Sequence, residues 1–130
     1  MSGKYNSGRQ AFGEGTLSWT RDRIVAQLVS AAYRFNESHA VASTLTGKVG
    51  APVELSAKSI TKGYARAANL MFARVAGDKV IAVVLHRVPA TGSAQAATLI
   101  AYLDDIAAFP MMPNGGDILV DLPEQGIFRI

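Results

Sequence analysis

The sequence predicts an all-β protein, an antiparallel β-sandwich or barrel of about seven short strands with one short helix and an extended N-terminal arm. Three observations carry this. Short apolar or alternating runs recur along the chain, and clusters of Gly, Pro, Asn and Asp punctuate them. A composition of 49% hydrophobic and 18% charged residues makes the chain globular and hints that part of its surface meets other subunits. With 130 residues, no internal repeat and no dividing linker, it reads as one β-sandwich domain over residues 16–130, preceded by an arm over residues 1–15.

The elements follow in order. Residues 1–15 hold four of the twelve glycines and no apolar period, hence an arm, and removing residues 1–10 is expected to leave the domain folded. Residues 24–30 (IVAQLVS) are apolar on both faces except at Gln27, as in a strand between packed layers. Residues 31–42 fit neither period, although Asn36 and Ser38 offer a cap for a short helix starting near His39. Residues 46–50 are turn-like. In residues 53–60, Val53, Leu55 and Ala57 alternate with Glu54, Ser56 and Lys58, giving a half-exposed strand.

The next stretch is two-valued. Tyr64, Ala68, Met71, Phe72 and Val75 fall at helical spacing, yet Leu70, Phe72 and Arg74 against Met71, Ala73 and Val75 suit a strand. Residues 80–85 (VIAVVL) are a continuous β-branched run between turns, hence a central buried strand. Residues 89–97 read as a small-residue loop and 98–103 as another strand. A long connection over 104–116 contains Pro110, Pro113 and the turn signal Asn114, Gly115, Gly116. Residues 118–122 and 127–130 are expected to close the chain as a hairpin across 123–126.

Chemistry is sparse. Without cysteine there are no disulfides, thiolate metal sites or cysteine nucleophiles. The first ten residues lack the apolar core of a signal peptide, and no apolar run approaches the ~18 residues of a spanning helix, so no membrane association is expected. His39 and His86 stand alone, with none of the spacings that hold zinc. Asp104 and Asp105 read as turn initiators. Asp117 and Asp121 share strand parity, which leaves a weak calcium site open, with solvated loop charges the simpler reading. The serines lack nucleophile motifs and the glycines form no phosphate loop. No catalytic residue, metal ligand or cofactor is therefore assigned, and an enzyme is not expected.

Basic residues neighbour aromatics at Lys4 and Tyr5, at Arg9 and Phe12, around Arg34 between Tyr33 and Phe35, and at Lys62, Tyr64 and Arg66. Single-strand binders combine such pairs in one groove. Here they are scattered and the net charge is only +3, so nucleic acid is not favoured as a partner.

Residues 98–104 (TLIAYLD), 109–120 (FPMMPNGGDILV) and 126–130 (GIFRI) resemble the C-terminal pattern of a family of small tailed-bacteriophage virion structural proteins. Residues 17–19 and 22–29 are similar, more loosely, to its front half, and residues 77–87 (GDKVIAVVLHR) to its sheet core. The resemblance covers roughly residues 15–130; its specific part is PNGGD, and it places residues 70–75 in a strand. The short last hairpin, Gln27 and the basic arm depart from the pattern.

The resemblance implies a virion structural protein, foremost a capsid decoration (cement) protein that bridges and stabilises head subunits. A tail, neck or head-fibre component is the alternative, and a nucleic-acid-binding accessory protein is a further one from another class. The implied partners are the major capsid protein and copies of the chain itself, as dimer or trimer, in a virion assembled in the host cytoplasm. Lys4, Tyr5, Arg9 and Phe12 are the expected partner contacts, because Arg and aromatic residues are favoured at interfaces. Within PNGGD, Pro113 fixes φ, Asn114, Gly115 and Gly116 tolerate chain reversal, and Asp117 is placed to accept turn amides.

Overall fold

The computed structural model describes residues 3–89, 97–106, 109–122 and 126–129. Strands β1 (Gly3–Lys4), β2 (Ile24–Ser30), β3 (Lys48–Glu54), β4 (Ser59–Thr61), β5 (Tyr64–Arg66), β6 (Leu70–Phe72), β7 (Val80–Arg87), β8 (Leu99–Leu103), β9 (Ile118–Val120) and β10 (Phe128–Arg129) are joined by helix α1 (Asn6–Glu14) and a 3₁₀ turn at Ala42–Thr44. The main sheet has the order β1-β8-β7-β2-β3; β10-β5-β4 and β6-β9 form a second layer. Every pairing is antiparallel. The fold is all-β and sandwich-like, and the sheets do not close into a barrel.

Strand β7 is central, as its β-branched run requires. Val83 and Leu85 face the second layer with Ile24, Ala26 and Leu28 of β2, in a core completed by Trp19, Leu55, Phe72, Ile118 and Val120. Ala82 and Val84 face the other way with Val29, under Tyr5, Tyr33, Leu45 and Tyr102. Successive residues thus bury opposite faces, and a strand covered on both sides reads as a continuous apolar run.

Gln27 interrupts that run for a local reason. The β2–β3 ladder shifts register between Ala26 and Leu28. The buried Gln27 amide donates there to the carbonyls of Leu28 (3.0 Å), Gly50 (3.1 Å) and Val49 (3.2 Å). It occupies the place of ladder bonds that the bulge removes. Arg87 does similar work at the far end of β7. Its buried guanidinium donates to the Thr16 carbonyl at 2.7 Å and Thr98 Oγ1 at 3.1 Å, and lies 3.5 Å from Asp22. That pins the 16–22 loop, so that Trp19 reaches the core and its Nε1 donates to the Arg66 carbonyl at 3.0 Å.

Several expectations are corrected. The short helix occupies residues 6–14, within the segment expected as an extended arm, and no α-helix starts near His39. Asn36 Oδ1 instead accepts from the Ser38 amide and hydroxyl, closing an Asx turn. The 53–60 run divides between β3 and β4, because Ala57 has φ +51° and breaks the alternation. The last two strands do not form a hairpin: β9 pairs with β6 and β10 with β5. Short alternating runs specify a face without specifying a partner. The strand reading of residues 70–75 holds over Leu70–Phe72, with Leu70 and Phe72 buried and Met71 exposed. Most of residues 89–97, expected as a loop, and residues 123–125 of the connection expected over 123–126 lie outside the described residues.

The PNGGD segment is a turn packed on another turn. Gly115, at φ +86°, donates its amide to the Val75 carbonyl at 2.7 Å, and the Val75 amide donates to Gly116 at 2.9 Å. Asn114 Oδ1 accepts the Gly116 amide at 3.0 Å, and Asp117 Oδ1 accepts the Arg74 amide at 3.1 Å. The motif aligns Ile118 and Val120 of β9 with Phe72 and Leu70 of β6.

Candidate interaction site

The N-terminal segment is folded onto the main sheet. The Tyr5 amide donates to the Ile100 carbonyl at 3.1 Å and the Asn6 amide to Glu37 at 2.9 Å. Helix α1 then lies along β8 so closely that a Cβ on Gly8 would meet the Leu99 carbonyl oxygen at 2.7 Å and Ile100 Cα at 2.9 Å. Only glycine permits that approach. The helix ends at Gly15, whose amide donates to the Phe12 carbonyl at 3.2 Å.

The four expected contact residues separate into two groups. Tyr5 is 0% exposed and belongs to the core. Its ring meets Phe35 edge-on at 5.1 Å, and its hydroxyl lies 2.5 Å from the Tyr33 hydroxyl, which in turn lies 2.9 Å from His39 Nδ1. Burial, then the Tyr33 hydrogen bond, push the Tyr5 hydroxyl pKa far up, so it stays protonated. As folded, Tyr5 is not available to a partner.

Lys4, Arg9 and Phe12 share a pocket of about 350 Å³ with Gly13 of α1 and Ile100 of β8. Phe128 and Arg129 of β10 complete its walls, so the pocket forms where the first and last strands of the chain meet. Lys4 Nζ donates to the Arg129 carbonyl at 2.8 Å, joining the two ends. The Phe12 and Phe128 rings stand 6.2 Å apart at 48°, and Trp19 abuts Phe128 edge-on at 5.3 Å. Arg129 lies 5.8 Å over the Tyr64 ring. Among the described residues, three cations and no carboxylate line this pocket.

Arg129 and Phe128 were not among the expected contacts. The Phe-Arg pair in the last run is the same basic–aromatic signal as Arg9 with Phe12, but no local pattern brings it to the N-terminus. The other basic–aromatic pairs do not join this pocket: Tyr33 and Phe35 sit in the aromatic core around Tyr102.

Among the described residues, no three of His, Asp and Glu gather as a metal would need, and Asp117 is engaged with the Arg74 amide. His86 is half-buried in β7, and burial pushes its pKa below the usual value. No helix among the described residues is long and apolar enough to cross a membrane. No protein-family model matches the chain, and no curated protein matches it.

Proposed function

We propose that the protein is a structural component of a tailed-phage virion, foremost a capsid decoration protein that binds the major capsid protein and bridges its subunits. The observation that carries this reading is how the PNGGD segment, on which the resemblance rests, is used. Its polar groups close hydrogen bonds to the neighbouring 74–77 turn and fix two strands in register, which suits a rigid module. Two surface features add support. The cationic pocket offers charged and aromatic contacts. On the outer face of the second layer, the cross-strand pair Met71 and Leu119 is 53% and 67% exposed, apolar area that a neighbouring subunit would cover. Many copies on one lattice make modest contacts sufficient.

The test is a stoichiometric gel of purified particles, with re-addition of the protein to particles stripped of it. Decoration predicts a copy number comparable with that of the major capsid protein and recovered resistance to heat. A low copy number confined to one vertex would point to the neck, tail or head-fibre alternative. Absence from finished particles would sink the reading.

A further inference from the structure

We propose that the pocket between α1 and β10 is a receptor for an acidic, aromatic-bearing segment of a partner protein, with a carboxylate held by Arg9 on a wall shared with Lys4 and Arg129, beside an apolar side chain on Phe12 and Phe128. This deepens the reading above by giving the chemistry of the partner segment. It is tested in solution, where it succeeds or fails whether or not the protein occurs in particles.

Charge argues first. Lys4, Arg9 and Arg129 converge on one pocket, and no carboxylate among the described residues answers them there. Lys4 spends one donor on the Arg129 carbonyl. Arg9 is exposed, and among the described residues no ion pair or side-chain hydrogen bond holds its guanidinium. An anion placed among these groups relieves their mutual repulsion, and the exposed Arg9 guanidinium is a fork that matches carboxylate geometry in paired, charge-assisted bonds.

The shape selects a peptide over a nucleic acid. A single-strand site needs a backbone track and open aromatic faces for successive bases. Here Phe12 and Phe128 are half-buried and tilted at 48° to each other, and Phe128 is also packed against Trp19 in a T-shaped pair. About 350 Å³ holds one side chain and one or two carboxylates. Gly13 leaves the wall open, since a Cβ there would meet no atom within 4 Å.

The molecule carries its own reporter. Trp19 is the only tryptophan and touches Phe128, so an occupied pocket alters its emission. The experiment titrates the full chain with fluorescein-labelled acetyl-Gly-Asp-Phe-Asp-Gly-amide in 50 mM salt, following anisotropy; an unlabelled titration follows Trp19 emission. Saturable binding is expected, weakened at least ten-fold when Asn replaces Asp in the peptide and at least five-fold in Arg9→Ala. Gly13→Phe should abolish it by filling the mouth. Arg9 and Gly13 are exposed, so both variants should keep the wild-type circular dichroism, and Arg9→Ala alone decides if Gly13→Phe does not fold. No saturable binding, equal affinity for the Asn peptide, indifference to Arg9→Ala, or tighter binding of oligothymidylate than of the peptide would each overturn the proposal.

Discussion

Strand β7 and the N-terminal segment both end up against β8, by opposite means. In β7, Val80, Ala82, Val83, Val84 and Leu85 are each 0% exposed, and composition alone drives that burial. Among its described residues, the N-terminal segment buries one large side chain, Tyr5, besides the small residues Gly8 and Ala11. It is held instead by fitted contacts: the Tyr5–Tyr33 hydroxyl pair, the Gly8 approach to β8, and the Lys4 ammonium on the Arg129 carbonyl. A run of apolar residues is robust to small changes of shape. A segment attached by a few matched groups is sensitive to single atoms, and it can place charged residues beside buried ones, as Lys4 and Tyr5 show.

Charging the strand should break the molecule outright. Val84→Asp puts an unpaired carboxylate between Tyr5, Tyr33 and Tyr102, at a cost of several kcal/mol against a total stability of about 5–15 kcal/mol. No soluble folded variant is expected by circular dichroism, and a folded one would show that β7 tolerates charge.

Truncating the plug should come next in size. Tyr5→Ala empties a fully buried aromatic site, at about 3–5 kcal/mol. For the same reason, deleting residues 1–10 should lower the denaturation midpoint rather than leave the domain untouched. An unchanged midpoint for both would return residues 1–15 to the status of a detachable arm.

Tyr5→Phe isolates the fitted contact from the burial. It keeps the ring and leaves the buried Tyr33 hydroxyl with one partner fewer, for about 1–2 kcal/mol. A loss as large as that of Tyr5→Ala would mean the hydroxyl chain, not the ring, anchors the segment.

This contrast also explains what could be read from the chain. Residues 24–30, 80–85 and 98–103 were legible because their composition and their burial are one fact; β2 runs Ile24–Ser30 as expected. Parity alone left residues 70–75 open between helix and strand, and the resemblance decided for the strand that Leu70–Phe72 form. Helix α1 was not legible, because its buried face consists of Gly8 and Ala11, small where β8 passes close, and small residues leave no apolar period. Three of the four expected contact residues do share a pocket, but two of its seven described lining residues, Phe128 and Arg129, lie over a hundred residues away from them. β10 is only two residues long and pairs with β5, a choice no local turn signal makes.

The smallest effect concerns acid, and it asks which of the two regions yields first. His86 sits half-buried on β7, where burial lowers its pKa below 6.5; Lys48 acts in the same direction, and the Arg87 carbonyl at 3.2 Å acts against both. The sign follows from proton uptake. Below pH 6.5 the imidazole of the unfolded chain binds a proton that the folded one resists, so the unfolded state gains and stability falls as pH drops. Well above pH 6.5 both are neutral, and this residue confers no slope. Denaturant midpoints of the wild type should therefore decline more steeply from pH 7 to pH 5 than those of His86→Gln, because the carboxylates titrate alike in both. Parallel declines would remove His86 from the account. Amide exchange at pH 5 then separates the regions: if β7 is the acid-sensitive part, the Val84 amide loses protection in step with that of Tyr5. Early loss at Tyr5 alone would make the fitted N-terminal contacts the weaker attachment, as their dependence on a few polar groups implies.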